Sequence, residues 1–137
     1  MAETTFSKEE KAAMRAAVAE EKARKEGADQ AAACDAAIAA MTGLDKQLAT
    51  TFHELVKTNT TLAPKTWYGM PAYTNSDGKT VVAFKPAAKF KLRYASIEFQ
   101  HDAKLDDGDL WPVGFAVTKL DDADKKKIAA ILKRAEG

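Results

Sequence analysis

Leu44, Leu48, Phe52, Leu55 and Val56 recur at helical spacing, and Pro64 then ends that pattern. Before Pro64 the chain can bury one face of a helix; after it the pattern is extended. The spacing predicts a helix over about Asp45 to Asn59. Two further helices are expected ahead of it. Ser7 with Glu10 three residues on has the form of a capping box, opening a helix to about Glu26. Glu9 and Glu10 suit the positive end of that helix, and Arg24 and Lys25 the negative end, with Gly27 as a stop. Glu20–Arg24 and Glu21–Lys25 are i,i+4 pairs in the favourable order. Phe6, Met14 and Val18 are its only large apolar groups, the rest being alanine. Such a helix has little surface to bury and is expected to dock weakly, project, or meet a partner chain. The second helix, about Asp29 to Met41, is also alanine-rich and ends near Gly43.

Beyond Pro64 the expected elements are short strands. Lys65 to Thr74 reads as two extended pieces with a bend at Gly69-Met70-Pro71. Asn75-Ser76-Asp77-Gly78 is a turn, so residues 72–85 form a hairpin with Thr80 to Lys85 as its buried arm. Phe90 to Gln100 is expected to be a strand whose alternation slips near Ala95-Ser96. A β-bulge there, or two shorter strands, would account for the slip. Asp102 to Asp109 is a loop, Val113 to Thr118 a last strand, and Asp121 or Asp122 caps a final helix bearing Ile128, Ile131, Leu132 and Ala135. Grouped strands between helices predict an α+β fold, with an antiparallel sheet of about five strands packed on helices. The expected division is a helical extension over 1–27 and one domain over 28–137, since 137 residues suit a single core.

Charge narrows the partners. The net charge is +1, which supplies no field to collect nucleic acid or an anionic membrane. Residues 61–101 carry 6 basic and 2 acidic side chains, and residues 102–124 carry 2 and 7. No apolar run has the ~20 residues that span a bilayer. Met1 to Lys11 has no apolar stretch of signal-peptide length, and the single Cys34 can form no internal disulfide. The expected compartment is the cytoplasm.

Trp67-Tyr68-Gly69-Met70-Pro71-Ala72-Tyr73 resembles the YGMP-aromatic signature of YdhG-like domains. The flanking pattern agrees, with an amphipathic helix before it and a glycine turn and Val-Val-aromatic strand after it. Trp111 to Arg134 is similar to the closing strand and helix of that family. The likeness covers roughly residues 30–135 and departs from it in 86–109. It implies a two-layer fold with a curved antiparallel sheet on helices. Most of the family has no assigned activity, some members being described as frataxin-like intracellular iron chaperones, so the resemblance brings no catalytic residue with it.

Three constellations bear on function. Trp67, Tyr68, Tyr73, Phe90, Arg93, Tyr94 and Trp111 could line a small-molecule or peptide site on one sheet face, with Arg93 pairing a carboxylate in two-pronged fashion. The plainer reading makes most of the rings core and Arg93 a surface residue. Lys89, Lys91 and Arg93 alternate with Phe90, Leu92 and Tyr94, which in a strand would send charges and rings to opposite faces. That arrangement disfavours nucleic acid, whose readers set rings beside cations. The acidic group of Asp102, Asp106, Asp107 and Asp109 is the alternative site, for iron. It fails the EF-hand spacing, because the required positions around Gly108 include Ala103.

No nucleophile elbow, phosphate loop or His-Glu-x-x-His motif occurs. Cys34 reads as a small buried hydrophobe and His53 as an edge residue of its helix. The expected role is therefore a non-enzymatic binding domain, with homo-oligomer or partner contact through the first helix. Iron delivery, or an enzyme acting on a small metabolite, are the alternatives.

Overall fold

The structure, a computed structural model, describes residues 6–25 and 29–137. Four helices, α1 (Lys8–Lys25), α2 (Gln30–Ala39), α3 (Gly43–Asn59) and α4 (Asp122–Glu136), accompany five strands. These are β1 (Ala63–Trp67), β2 (Met70–Thr74), β3 (Thr80–Lys85), β4 (Ala95–Phe99) and β5 (Gly114–Val117). The strands form one open antiparallel sheet in the order β1-β2-β3-β4-β5. The fold is α+β.

Local chemistry explains the starts and turns. Ser7 and Glu10 close the capping box of α1, at 2.9 and 3.0 Å. Asp29 caps α2 by accepting from the Ala32 N–H, and Asp121 with Asp124 caps α4 reciprocally. In the β2–β3 turn, Asn75 Oδ1 accepts from the N–H groups of Asp77 and Lys79, both at 3.0 Å. That side chain reinforces the backbone bonds of the turn, Asn75 N–H to the Lys79 carbonyl at 2.9 Å and Gly78 N–H to the Asn75 carbonyl at 3.0 Å.

Strand alternation sorts the sheet into two unlike faces. Tyr73, Val82, Phe84, Ile97 and Phe99 share one face and join the main core with Cys34 and Ile38 of α2, Leu48, Phe52 and Val56 of α3, and Ile128 and Leu132 of α4. Phe52 packs edge-on to Tyr73, with centroids 5.7 Å apart. Met70, Ala72 and Ala83 lie on the opposite face, also buried but outside that cluster. α1 adjoins β1 and the short 3-10 turn Ala88–Phe90, and its Ala13 is buried there. Met14 and Val18 face solvent, so alanine and not the larger side chains makes the docking contact. The structure describes no side chain for Arg24 or Lys25, so the expected Glu20–Arg24 and Glu21–Lys25 pairs fall outside what is described, as does the Gly27 stop.

The expected strand from Phe90 to Gln100 is corrected. Ala88–Phe90 is a 3-10 turn, Lys91 is left-handed at φ 54°, and extended backbone starts only at Ala95. The Leu92 N–H donates back to the Ala87 carbonyl at 2.8 Å and holds the segment curled. The slip in alternation is thus the entry into β4, which pairs with β3 and β5 without a bulge. The register shift in this sheet lies between Tyr73 and Thr74.

Candidate functional site

The curl of residues 88–94 overturns the expectation that charges and rings part to opposite faces. Here they touch. The Arg93 guanidinium sits 4.9 Å from the centre of the Tyr94 ring. The ammonium groups of Lys85 and Lys89 lie 5.1 and 5.8 Å from the Phe90 ring. Arg93 and Tyr94 are both exposed. With Leu92 they wall an open concavity of about 490 Å³, floored by Lys85, Ser96, Glu98, Gly114 and Ala116. That floor is the part of the second sheet face toward β5. Gly114, Ala116 and Ser96 leave its middle open, and Ser96 donates to Glu98 at 2.8 Å across it.

Trp67 and Tyr68 stack edge-to-face at 5.1 Å at the β1–β2 hairpin, whose loop is Tyr68-Gly69. Both loop residues have left-handed backbone, φ 54° and 78°. A two-residue hairpin needs that geometry, which glycine takes freely and tyrosine at a cost of about 1–2 kcal/mol. The Gly69 N–H donates to Glu20 Oε2 at 2.9 Å, and Lys89 Nζ donates to the Gly69 carbonyl at 2.9 Å. Burial holds the Lys89 ammonium below the usual lysine range, an effect the nearby Glu20 carboxylate opposes. Gly69 and Lys89 also border a cavity of about 550 Å³ with Ala37, Ala40, Met41 and Pro86 among its walls. Asp45 reaches the same cavity, where its oxygens accept from the N–H groups of Ala87 and Ala88 at 3.0 and 2.9 Å.

The remaining residues of the aromatic set lie elsewhere. Tyr73 is buried to 1% exposure on the core face of the sheet, away from Arg93 and Tyr94, so its ring walls no part of their groove. Trp111 packs on the main core and borders a third concavity, about 530 Å³, with Phe99, His101, Asp106 and Asp109. The six rings and the guanidinium are thus not one constellation; Arg93 and Tyr94 share a groove, Trp67 and Tyr68 a turn, and Lys85 links the groove to Phe90. Asp102, Asp106, Asp107 and Asp109 are all exposed. Among the described residues no three His, Cys, Asp or Glu side chains converge as metal ligands would.

Sequence reasoning missed a polar chain that runs from the surface at Asp35 to the buried Tyr73. His53 Nδ1 lies 2.9 Å from the Tyr73 hydroxyl, and His53 Nε2 lies 3.5 Å from Asp35 Oδ1. In the tautomer that carries its proton on Nε2, toward the Asp35 carboxylate, Nδ1 accepts from the Tyr73 hydroxyl. Burial pushes the nearby Cys34 thiol up to about 11. Asp35, His53 and Tyr73 border a cavity of about 390 Å³ with Lys57 and Thr60. No spacing in the sequence announces this contact, because α2, α3 and β2 supply one residue set each.

No helix among the described residues is long and apolar enough to cross a membrane. No family model, no curated protein and no solved structure matches this chain.

Proposed function

We propose that the chain is a non-enzymatic, intracellular binding domain of the YdhG-like kind, which takes a small carboxylate-bearing molecule or short peptide on its open sheet face. The observation that carries the reading is the exposed Arg93 guanidinium stacked on Tyr94 above a floor of Gly114 and Ala116. A planar guanidinium held by a ring keeps its fork of donors free for a carboxylate, and the small floor leaves room for the rest of the ligand. Lys85 adds a second positive charge, and Glu98 on the floor is partly satisfied by Ser96.

A screen of small carboxylic acids and C-terminal tripeptides, read by melting temperature, tests this. The expected result is a stabilising compound whose effect disappears in both Arg93→Ala and Tyr94→Ala. A screen with no stabilising compound, or one whose hits ignore both substitutions, removes the reading. The enzyme alternative draws its support from His53, flanked by Asp35 and Tyr73 beside a cavity, which is the geometry of an oriented base. Turnover lost in His53→Gln but kept in Arg93→Ala would favour it.

A further inference from the structure

Glu20 of α1 reaches across 49 residues of sequence to accept the Gly69 N–H. The Lys89 ammonium holds the carbonyl of the same glycine and attracts Glu20 through its longer-range field, without a direct ion pair. A carboxylate therefore sits where a left-handed turn presents its amide and a partly desolvated lysine presents its charge. Glycine suits the position because its φ is 78°, and a Cβ there would also push Lys89 Nζ, 2.0 Å away, off the Gly69 carbonyl. The rest of α1 contributes little apolar grip: Ala13 is its buried side chain, while Met14 and Val18 point to solvent. At the other end of α1, Glu9 pairs with exposed Lys91 at 3.2 Å, a contact of the kind worth little in water. The helix is thus held largely by polar contacts that a solute can replace.

Beside this turn lies the cavity of about 550 Å³ that Gly69 and Lys89 border, with Ala37, Ala40, Met41, Pro86 and Ala88 giving apolar wall. Asp45 also faces it, with its two oxygens each accepting a backbone N–H. We propose that the Gly69 amide and the Lys89 ammonium bind the carboxylate of a small acid with an apolar body, and that Glu20 is a built-in competitor occupying the site until that acid displaces it. The carboxylate takes the hydrogen bond that Glu20 gives up, and the apolar body enters the adjoining cavity. The site is separate from the Arg93 groove and stands whether or not that groove binds anything.

The test uses the full chain, labelled with ¹⁵N, and sodium hexanoate as probe, with acetate as the head group alone. In Glu20→Gln the Gly69 amide resonance is expected to shift saturably with hexanoate, at an apparent affinity about tenfold tighter than in the unmodified chain, the ratio one charge-assisted hydrogen bond is worth. Adding Lys89→Met to Glu20→Gln abolishes the shift, acetate binds more weakly than hexanoate, and Arg93→Ala leaves the response unchanged. In the unmodified chain, hexanoate speeds hydrogen exchange of the α1 amides, a readout that needs no substitution. No saturable shift in Glu20→Gln, equal affinity with and without Glu20, binding that survives Lys89→Met, or α1 exchange indifferent to hexanoate would each overturn the proposal. Acetate binding as tightly as hexanoate would overturn the role of the cavity.

Discussion

The Tyr73 hydroxyl and His53 Nδ1 are 2.9 Å apart, tying the second strand to the third helix at the part-buried edge of the core. With the imidazole proton on Nε2, toward Asp35, the phenol donates to Nδ1. Tyr73→Phe keeps the ring and leaves Nδ1 without its partner. Urea unfolding should show a loss of about 1–3 kcal/mol, the cost of orphaning a polar group in the interior. A loss below about 0.5 kcal/mol would mean that water replaces the phenol there.

High pH should weaken the fold through the same cluster. Burial raises the Cys34 thiol from 9.0 to about 11, and burial also raises the Tyr73 phenol well above its ordinary 10.0. Both groups are held neutral when folded but ionise more readily when unfolded, so stability is full below pH 9 and falls as pH rises. The Cys34 share is lost between about 9 and 11, and the Tyr73 share begins near 10. Urea midpoints from pH 8 to 10.5 should fall, and Cys34→Ala should flatten the first part of the decline. An equally steep decline in Cys34→Ala would assign it to other groups.

Asp45 is a buried carboxylate that serves as a backbone clamp, accepting from Ala87 and Ala88. Asp45→Asn replaces one acceptor oxygen by a donor that faces an N–H. The expected cost is about 2 kcal/mol, in the range for hydrogen bonds to a charged group. For a domain this size that lowers the melting temperature by roughly 5–10 °C. The amide resonances of residues 86–92 should move more than those of β1, because the clamp holds the curl.

Gly69→Ala tests the hairpin. The substitution places a Cβ on backbone at φ 78° and 2.0 Å from Lys89 Nζ. The left-handed strain alone is worth about 1–2 kcal/mol, and the lysine must also withdraw from the Gly69 carbonyl. Gly43→Ala, left-handed too but with nothing within 4 Å, carries the strain without the clash. The Gly69 variant should be the less stable of the two in urea, and parity between them would show that Lys89 moves away freely.

How much of this was legible depended on whether the determining contact was local. α3 and α4 could be read because apolar side chains at helical spacing and acidic caps act within a few residues. The β2–β3 hairpin followed from Asn75 and Gly78 for the same reason. Residues 90–94 misled because Phe-Lys-Leu-Arg-Tyr alternates as a strand would, while what curls it is remote: Asp45 of α3 holding Ala87 and Ala88. Once curled, Arg93 meets Tyr94 where alternation had parted them. The aromatic set shared composition and no address, so Tyr73 went to the core and Trp111 to the opposite concavity from Arg93. The alanine-rich α1 gave no hint of its contact, since the grip is a carboxylate on a backbone amide.

Every strand pairs with its neighbour in sequence, so the sheet can be assembled from short hairpins whose ends meet at small entropic expense. The final helix stands apart from that economy. Glu136 accepts from the Thr61 backbone N–H at 2.9 Å across 75 residues, and the Ala135 carbonyl accepts from Lys104. Docking α4 is thus the long-range closure that shuts the hydrophobic interior, with Leu132 as its plug. Damage to this latch should leave the hairpins able to form while exposing the greasy side of the sheet to other chains.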